Sequence, residues 1–163
     1  MTPSIFLDDF KAGEVREFGQ HLVTREEIIE FATRYDPQPF HTDEAAANAS
    51  AFGGLIASGW MTCALAMRMA CDEYVLKSAS LGSPGVDQIR WLQPVRPGDR
   101  LRLRLTTREV KSSQSKPDRG IVHSGWEMLN QRDEIVLTME GMGMFRRRPA
   151  PAGSAAAMCR ASC

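Results

Sequence analysis

The sequence predicts a single α+β domain, with helices gathered on one face of an antiparallel sheet. Three observations carry this. Apolar residues recur at helical spacing from Thr24 to Tyr35. A second stretch, beginning at Trp60, is apolar on nearly every side, as a buried helix would be. After Val86 the period drops to two, and turn residues separate the alternating runs.

Along the chain, "GEVREFGQHLV" (13–23) offers a weak edge strand. In "TREEIIEFATRY", Thr24 and Glu27 have capping-box spacing, and Ile28, Phe31, Ala32 and Tyr35 share one helix face. Pro37 disfavours helical backbone at Asp36, so the helix stops there. Thr42 or Asp43 can cap a short helix through "EAAANAS", and Gly53-Gly54 marks a turn. Gly59 then leads into "WMTCALAMRMACDEYVL", the helix expected to be buried all round, with Arg68 as its main exception.

"VDQIRWLQPV" is a strand closed by the turn "RPGDR". "LRLRLTTREV" alternates strictly, with Leu101, Leu103 and Leu105 on one face and Arg102 and Arg104 on the other. "IVHSGWEMLN" and "EIVLTMEGMGMF" are two more strands, joined at "QRD". The domain spans 1–148. The Pro/Ala-rich segment 149–163 is expected to be a mobile tail, and Arg146–Arg148 a solvated charge run.

Composition excludes several classes. Lysine plus arginine and aspartate plus glutamate number 20 each, so no net charge draws nucleic acid or an anionic membrane. No apolar run approaches the ~18 residues of a membrane helix. The N-terminus shows no basic segment followed by an apolar core, so no signal peptide is expected. The four cysteines lack CxxC spacing and fit free thiols in the cytoplasm.

The chemistry concentrates in "RYDPQPFHTD". An acid, Asp36, and a base, His41, are set five residues apart, with Pro37 and Pro39 stiffening the chain between them. Gly59 follows at the entry of the apolar helix, where unpaired backbone N–H groups carry about +0.5 of partial charge. Such a place stabilises an oxyanion or enolate, while the acid–base pair activates a water. Two other chemistries stay open. Asp36, His41 and Asp43 are candidate metal ligands, though His21 and His123 stand far off in sequence. Ser58 or Cys63 is a candidate nucleophile.

"YDPQPFHTD" with "AFGGLIASGW" resembles the MaoC-like dehydratases, or R-specific enoyl-CoA hydratases, whose D-x-x-P-x-H loop is matched by Asp36, Pro39 and His41. Gly59 matches their helix-entry glycine, and "IRWLQPVRPGD" resembles the strand and turn that follow. The resemblance covers roughly residues 5–148. It implies a hot-dog fold, a curved sheet wrapped around a buried helix, working as a homodimer. It implies catalysis by Asp36, His41 and Gly59, with Pro39, Phe40, Phe52, Ser58 and Trp60 around the substrate. The substrate it implies is an acyl-CoA thioester, hydrated or dehydrated with no metal and no cofactor beyond the coenzyme A that the substrate would carry. Ser58 stands where many members have His, Trp60 where Met is common, and Met67 where some have Ser; these changes bear on the acyl pocket. Two further readings are a hot-dog thioesterase and a non-catalytic acyl-thioester-binding partner. Arg90, Arg96 and Arg119 are candidate contacts for a substrate carboxylate or CoA phosphate, with plain surface positions the alternative.

Overall fold

The computed structural model describes residues 2–149. The segment expected to be a tail therefore lies outside the described residues, apart from Pro149. Five strands form one antiparallel sheet: β1 (Val15–Leu22), β2 (Val86–Trp91), β3 (Arg100–Ser112), β4 (Arg119–Leu129) and β5 (Ile135–Arg146). Their spatial order is β1-β3-β4-β5-β2, so β1 is an edge strand as expected and β2 forms the other edge. Four helices precede or cross the sheet: α1 (Arg25–Tyr35), α2 (Pro39–Thr42), α3 (Glu44–Ala49) and α4 (Gly59–Glu73). Together they form the α+β, hot-dog architecture that the resemblance implies.

The alternation of β3 does what its period demands. Leu101, Leu103 and Leu105 are buried in the core with Met128 and Leu137 of the neighbouring strands. Full burial of each leucine stabilises the fold by about 1.5–3 kcal/mol. Arg102 and Arg104 stand on the opposite face, where both ion-pair with Glu17 of β1. Such half-exposed pairs add little, roughly 0–1 kcal/mol each, so the leucines decide the strand's orientation.

Helix α4 lies against the sheet through Met61, Ala66, Met69 and Ala70. Its close approach to β1 depends on Gly19, at a bulge with φ +77°, where a Cβ would lie 2.6 Å from the Met69 sulfur. The helix is not buried all round, contrary to the sequence expectation. Trp60 and Met67 on its other side are exposed, and Arg68 pairs with Asp72 there. The sheet can cover only one side of a helix, and among the described residues nothing covers Trp60 and Met67 on the second.

Other expectations shift. Tyr35 is 65% exposed and lies outside the buried face that Ile28 and Ala32 form, against Phe31. Thr24 caps α1 by accepting from Glu27 N–H, but the Glu27 carboxylate turns to His21 (2.8 Å), so the reciprocal arm of the capping box is absent. Strand β2 stops at Trp91, and 92–95 run on as a loop. Helix α4 gives way to a 3-10 turn at Val75–Lys77. The arginine run is not simply solvated: Arg147 pairs with Asp8 and Arg148 with Asp9, tying the two ends of the described chain together, and Arg146 pairs with Asp118 beside β4. No helix among the described residues is long and apolar enough to cross a membrane.

Candidate active site

The segment between Asp36 and His41 is shaped by its prolines. Pro37 ends α1, leaving Asp36 at φ −154°, ψ 68°, outside the helical region. Pro39 then starts a new turn at the first position of α2, where its missing N–H costs nothing. What the sequence suggested was a stiff loop is thus a single helical turn carrying His41. Asp43 caps the next helix by accepting from Ala46 N–H at 2.7 Å, and among the described residues it does not group with Asp36 and His41 as a metal-ligand cluster.

Asp36, His41 and the start of α4 converge. Asp36 Oδ2 lies 3.4 Å from His41 Nε2 and accepts a 2.7 Å hydrogen bond from Ser58 Oγ. Asp36 Oδ1 accepts from the Gln38 amide at 2.8 Å. His41 is buried, and its Nδ1 lies 2.8 Å from the carbonyl oxygen of Ile56. A carbonyl can only accept, so Nδ1 carries the hydrogen and neutral His41 presents a lone pair at Nε2. The Phe40 ring packs edge-on to the imidazole, 4.5 Å between centroids.

The electrostatics keep the acid charged. Burial pushes the Asp36 carboxyl up, but hydrogen bonds from Gln38 and Ser58, joined by the attraction of His41 whenever that ring is protonated, outweigh it and hold the group below the ordinary aspartate value. Two acceptors, Asp36 Oδ2 and His41 Nε2, therefore face one another with no hydrogen of their own between them. A water beside them can donate to both.

A cavity of about 460 Å³ opens onto this pair. Its walls include Phe40, Phe52, Ile56, Trp60, Trp91 and Val95, and both Asp36 and Gly59 reach it. Of the substrate contacts expected from sequence, Phe40, Phe52 and Trp60 line the cavity, whereas Pro39 and Ser58 do not. Ser58 is fully buried, and its Oγ is engaged twice, donating to Asp36 and accepting from Trp60 N–H at 3.2 Å. That leaves it unfit as a nucleophile. Burial also pushes the Cys63 thiol up, which is the wrong direction for a reactive cysteine.

Gly59 has a second reason to be glycine. Its missing Cβ makes room for the Trp91 indole, which a methyl group there would overlap. Trp91 Nε1 donates to Gly59 O at 2.9 Å, and Trp60 packs edge-on to Trp91 at 5.4 Å. As the first residue of α4, Gly59 has no acceptor for its N–H within the helix, and the cap Ser58 Oγ serves Trp60 instead. Sequence reasoning missed Gln38, Trp91 and the Ile56 carbonyl. Only Gln38 carried a local signal, as a polar side chain set between the acid and the base. Of the candidate cationic contacts, Arg119 is paired with Asp118, and Arg90 reaches only the Ile89 carbonyl. Arg96 donates to Phe52 O at 2.6 Å and so braces one wall of the cavity from behind.

Comparison with known proteins agrees in family. The MaoC-like domain model matches residues 9–125. A MaoC-like dehydratase of Rhodospirillum rubrum superposes with a TM-score of 0.82 at 40% identity, covering 90% of this chain and 100% of that one. The uncharacterized protein YdeM of Bacillus subtilis is 30% identical over 142 residues, 86% of this chain and 99% of its own length. The 3-hydroxyacyl-thioester dehydratase Z of Mycobacterium tuberculosis is 38% identical over 99 residues, 58% of this chain and 66% of that protein. With the family model spanning most of the chain and these relatives beside it, this protein belongs to the MaoC-like domain family.

Proposed function

We propose that this protein is a hydro-lyase that adds water to 2-enoyl thioesters of coenzyme A, or removes it from the 3-hydroxyacyl thioesters, with R configuration at C3. One observation carries the reading: two hydrogen-bond acceptors, Asp36 Oδ2 and His41 Nε2, stand 3.4 Å apart at a cavity wall beside the first turn of α4. The dehydratase name of the 38%-identical mycobacterial protein supports the same class.

The steps balance as follows. A water beside the pair donates one O–H to Asp36 and the other to His41 Nε2. Its oxygen bonds to C3 of the enoyl group as the second O–H breaks and that proton passes to His41. The C2–C3 π pair shifts toward the thioester, giving an enolate whose oxygen faces the Gly59 N–H and the positive end of α4. The new imidazolium lies against ionised Asp36, which stabilises it. His41 then returns the proton to C2, and one water has been added overall. Dehydration is the reverse.

The exposed face of α4, with Trp60 and Met67, and the unpaired edge of β2, with Val86 and Trp91 exposed, support self-association as a homodimer. The free thiols of Cys63 and Cys71 suit a reducing cytoplasm. The test follows loss of enoyl-thioester absorbance with crotonyl-CoA and longer analogues, assayed in both directions with product configuration determined. Wild type turns over, and Asp36→Asn and His41→Ala each lose at least ~10² in rate. Full rate in either variant refutes the assigned roles. Free thiol release, or tight binding without turnover on the whole panel, refutes the hydratase reading itself in favour of a thioesterase or a binding subunit.

A further inference from the structure

Gln38 has no place in the chemistry so far, yet it touches its central group. It is the residue between the two prolines, at the N-cap of α2. Its Nε2 donates to Asp36 Oδ1 at 2.8 Å, and the residue lines the cavity. Its backbone is tied too: Gln38 N–H donates to Asp36 O at 2.7 Å, and its own carbonyl accepts from His41 N–H at 2.9 Å. One residue therefore contacts both members of the pair, by side chain on the acid and by backbone on the base.

We propose that Gln38 is a positioning residue of the hydration site: its amide pins Asp36 Oδ1, so that Oδ2 alone meets the water shared with His41. A carboxylate turns easily about its Cβ–Cγ bond. Ser58 holds only the inner oxygen, and one hydrogen bond does not fix a plane. The Gln38 contact supplies the second fixed point. With both oxygens assigned, the water is held at one place and delivered to one face of the enoyl group. The amide also favours the ionised acid, because it donates to a charged acceptor. His41 is the ionisable neighbour of Asp36 at 3.4 Å, and Gln38 and Ser58 are the acid's neutral donors.

The catalytic part of this inference rests on the proposed hydration, so the test has one arm that needs no turnover. In Gln38→Ala the side-chain carboxyl ¹³C signal of Asp36, assigned by its disappearance in Asp36→Asn, titrates at higher pH than in wild type. Gln38→Glu, nearly isosteric but bringing a second carboxylate, moves it further. Gln38→Asn, which keeps the donor on a shorter stem, recovers part of the wild-type behaviour. In the crotonyl-CoA assay, Gln38→Ala lowers kcat by ~10- to ~100-fold with KM within ~3-fold, as misplacement of a reacting group does. The acid limb of the kcat/KM profile moves up in parallel with the ¹³C midpoint. An unmoved Asp36 titration in Gln38→Ala overturns the proposal, whatever the activity. A moved titration in a protein that hydrates no enoyl thioester leaves Gln38 as the fixer of Asp36 and removes the hydratase reading instead.

Discussion

Two clefts among the described residues lie near opposite ends of β5, and they handle charge in opposite ways. One lies by Leu137, where β2 delivers Trp91. The other lies by Arg146, roughly 30 Å of strand away. The second cleft is larger, about 720 Å³, and richer in charge, with Asp8, Asp118 and Arg146–Arg148 around it. Yet Arg146, Arg147 and Arg148 each have a carboxylate in reach. In the first cleft, a carboxylate and an imidazole are held by neutral donors and acceptors from behind and left facing one another. Size and charge density do not distinguish a site from a strut. What distinguishes them is whether the polar groups satisfy each other or converge on a common point at the cavity wall.

That contrast can be broken by mutation. The largest effect expected is on turnover: Asp36→Asn loses at least ~10² in rate, whereas replacing Arg147 and Arg148 together by Ala leaves kcat within ~2-fold. If the arginine pair lowered kcat as Asp36→Asn does, the two clefts would not be separate in function.

Next comes Gly59. Gly59→Ala forces the Trp91 indole aside, so overpacking destabilises the fold by ~1–3 kcal/mol in urea unfolding. Adding Trp91→Ala relieves the clash, and the double-mutant cycle shows a coupling of ~0.5–3 kcal/mol. Additive effects would mean that the glycine does not answer to Trp91.

A smaller effect concerns acid. The folded-state carboxyl of Asp36 lies below its ordinary value of 3.8. Its contribution is therefore fully present above that pH and fades as pH falls through the lower folded value. Wild type should lose stability below pH ~4 more steeply than Asp36→Asn does, as read by denaturant midpoints at successive pH values. Equal slopes would mean that Asp36 is not held ionised by its neighbours. The smallest effect is at the far cleft: Asp8→Ala shifts unfolding free energy by ~1 kcal/mol or less, and 1 M salt reduces even that.

The sequence made the sheet legible where its face choice was forced. Leu101, Leu103 and Leu105 alternate with arginines, and a one-residue slip would bury those charges. Thr24 announced α1 because capping is local. Asp36, His41 and Gly59 were legible as residue types at given spacing. Features made by distant segments were not. Trp91 meets Gly59 across 32 residues, and nothing near either position signals the other. Helix α2 escaped notice because four residues cannot show a period. The open side of α4 escaped because apolarity says that a surface will be covered, not by what.

The Ile56 carbonyl has a consequence beyond holding His41. It determines which imidazole nitrogen is the base, and it does so with an atom that every amino acid possesses. Substitution at position 56 can widen or narrow the cavity without moving the basic lone pair. The choice of acyl group and the choice of base thus sit on the same residue but on different atoms, one free to vary and the other out of reach of any side-chain change.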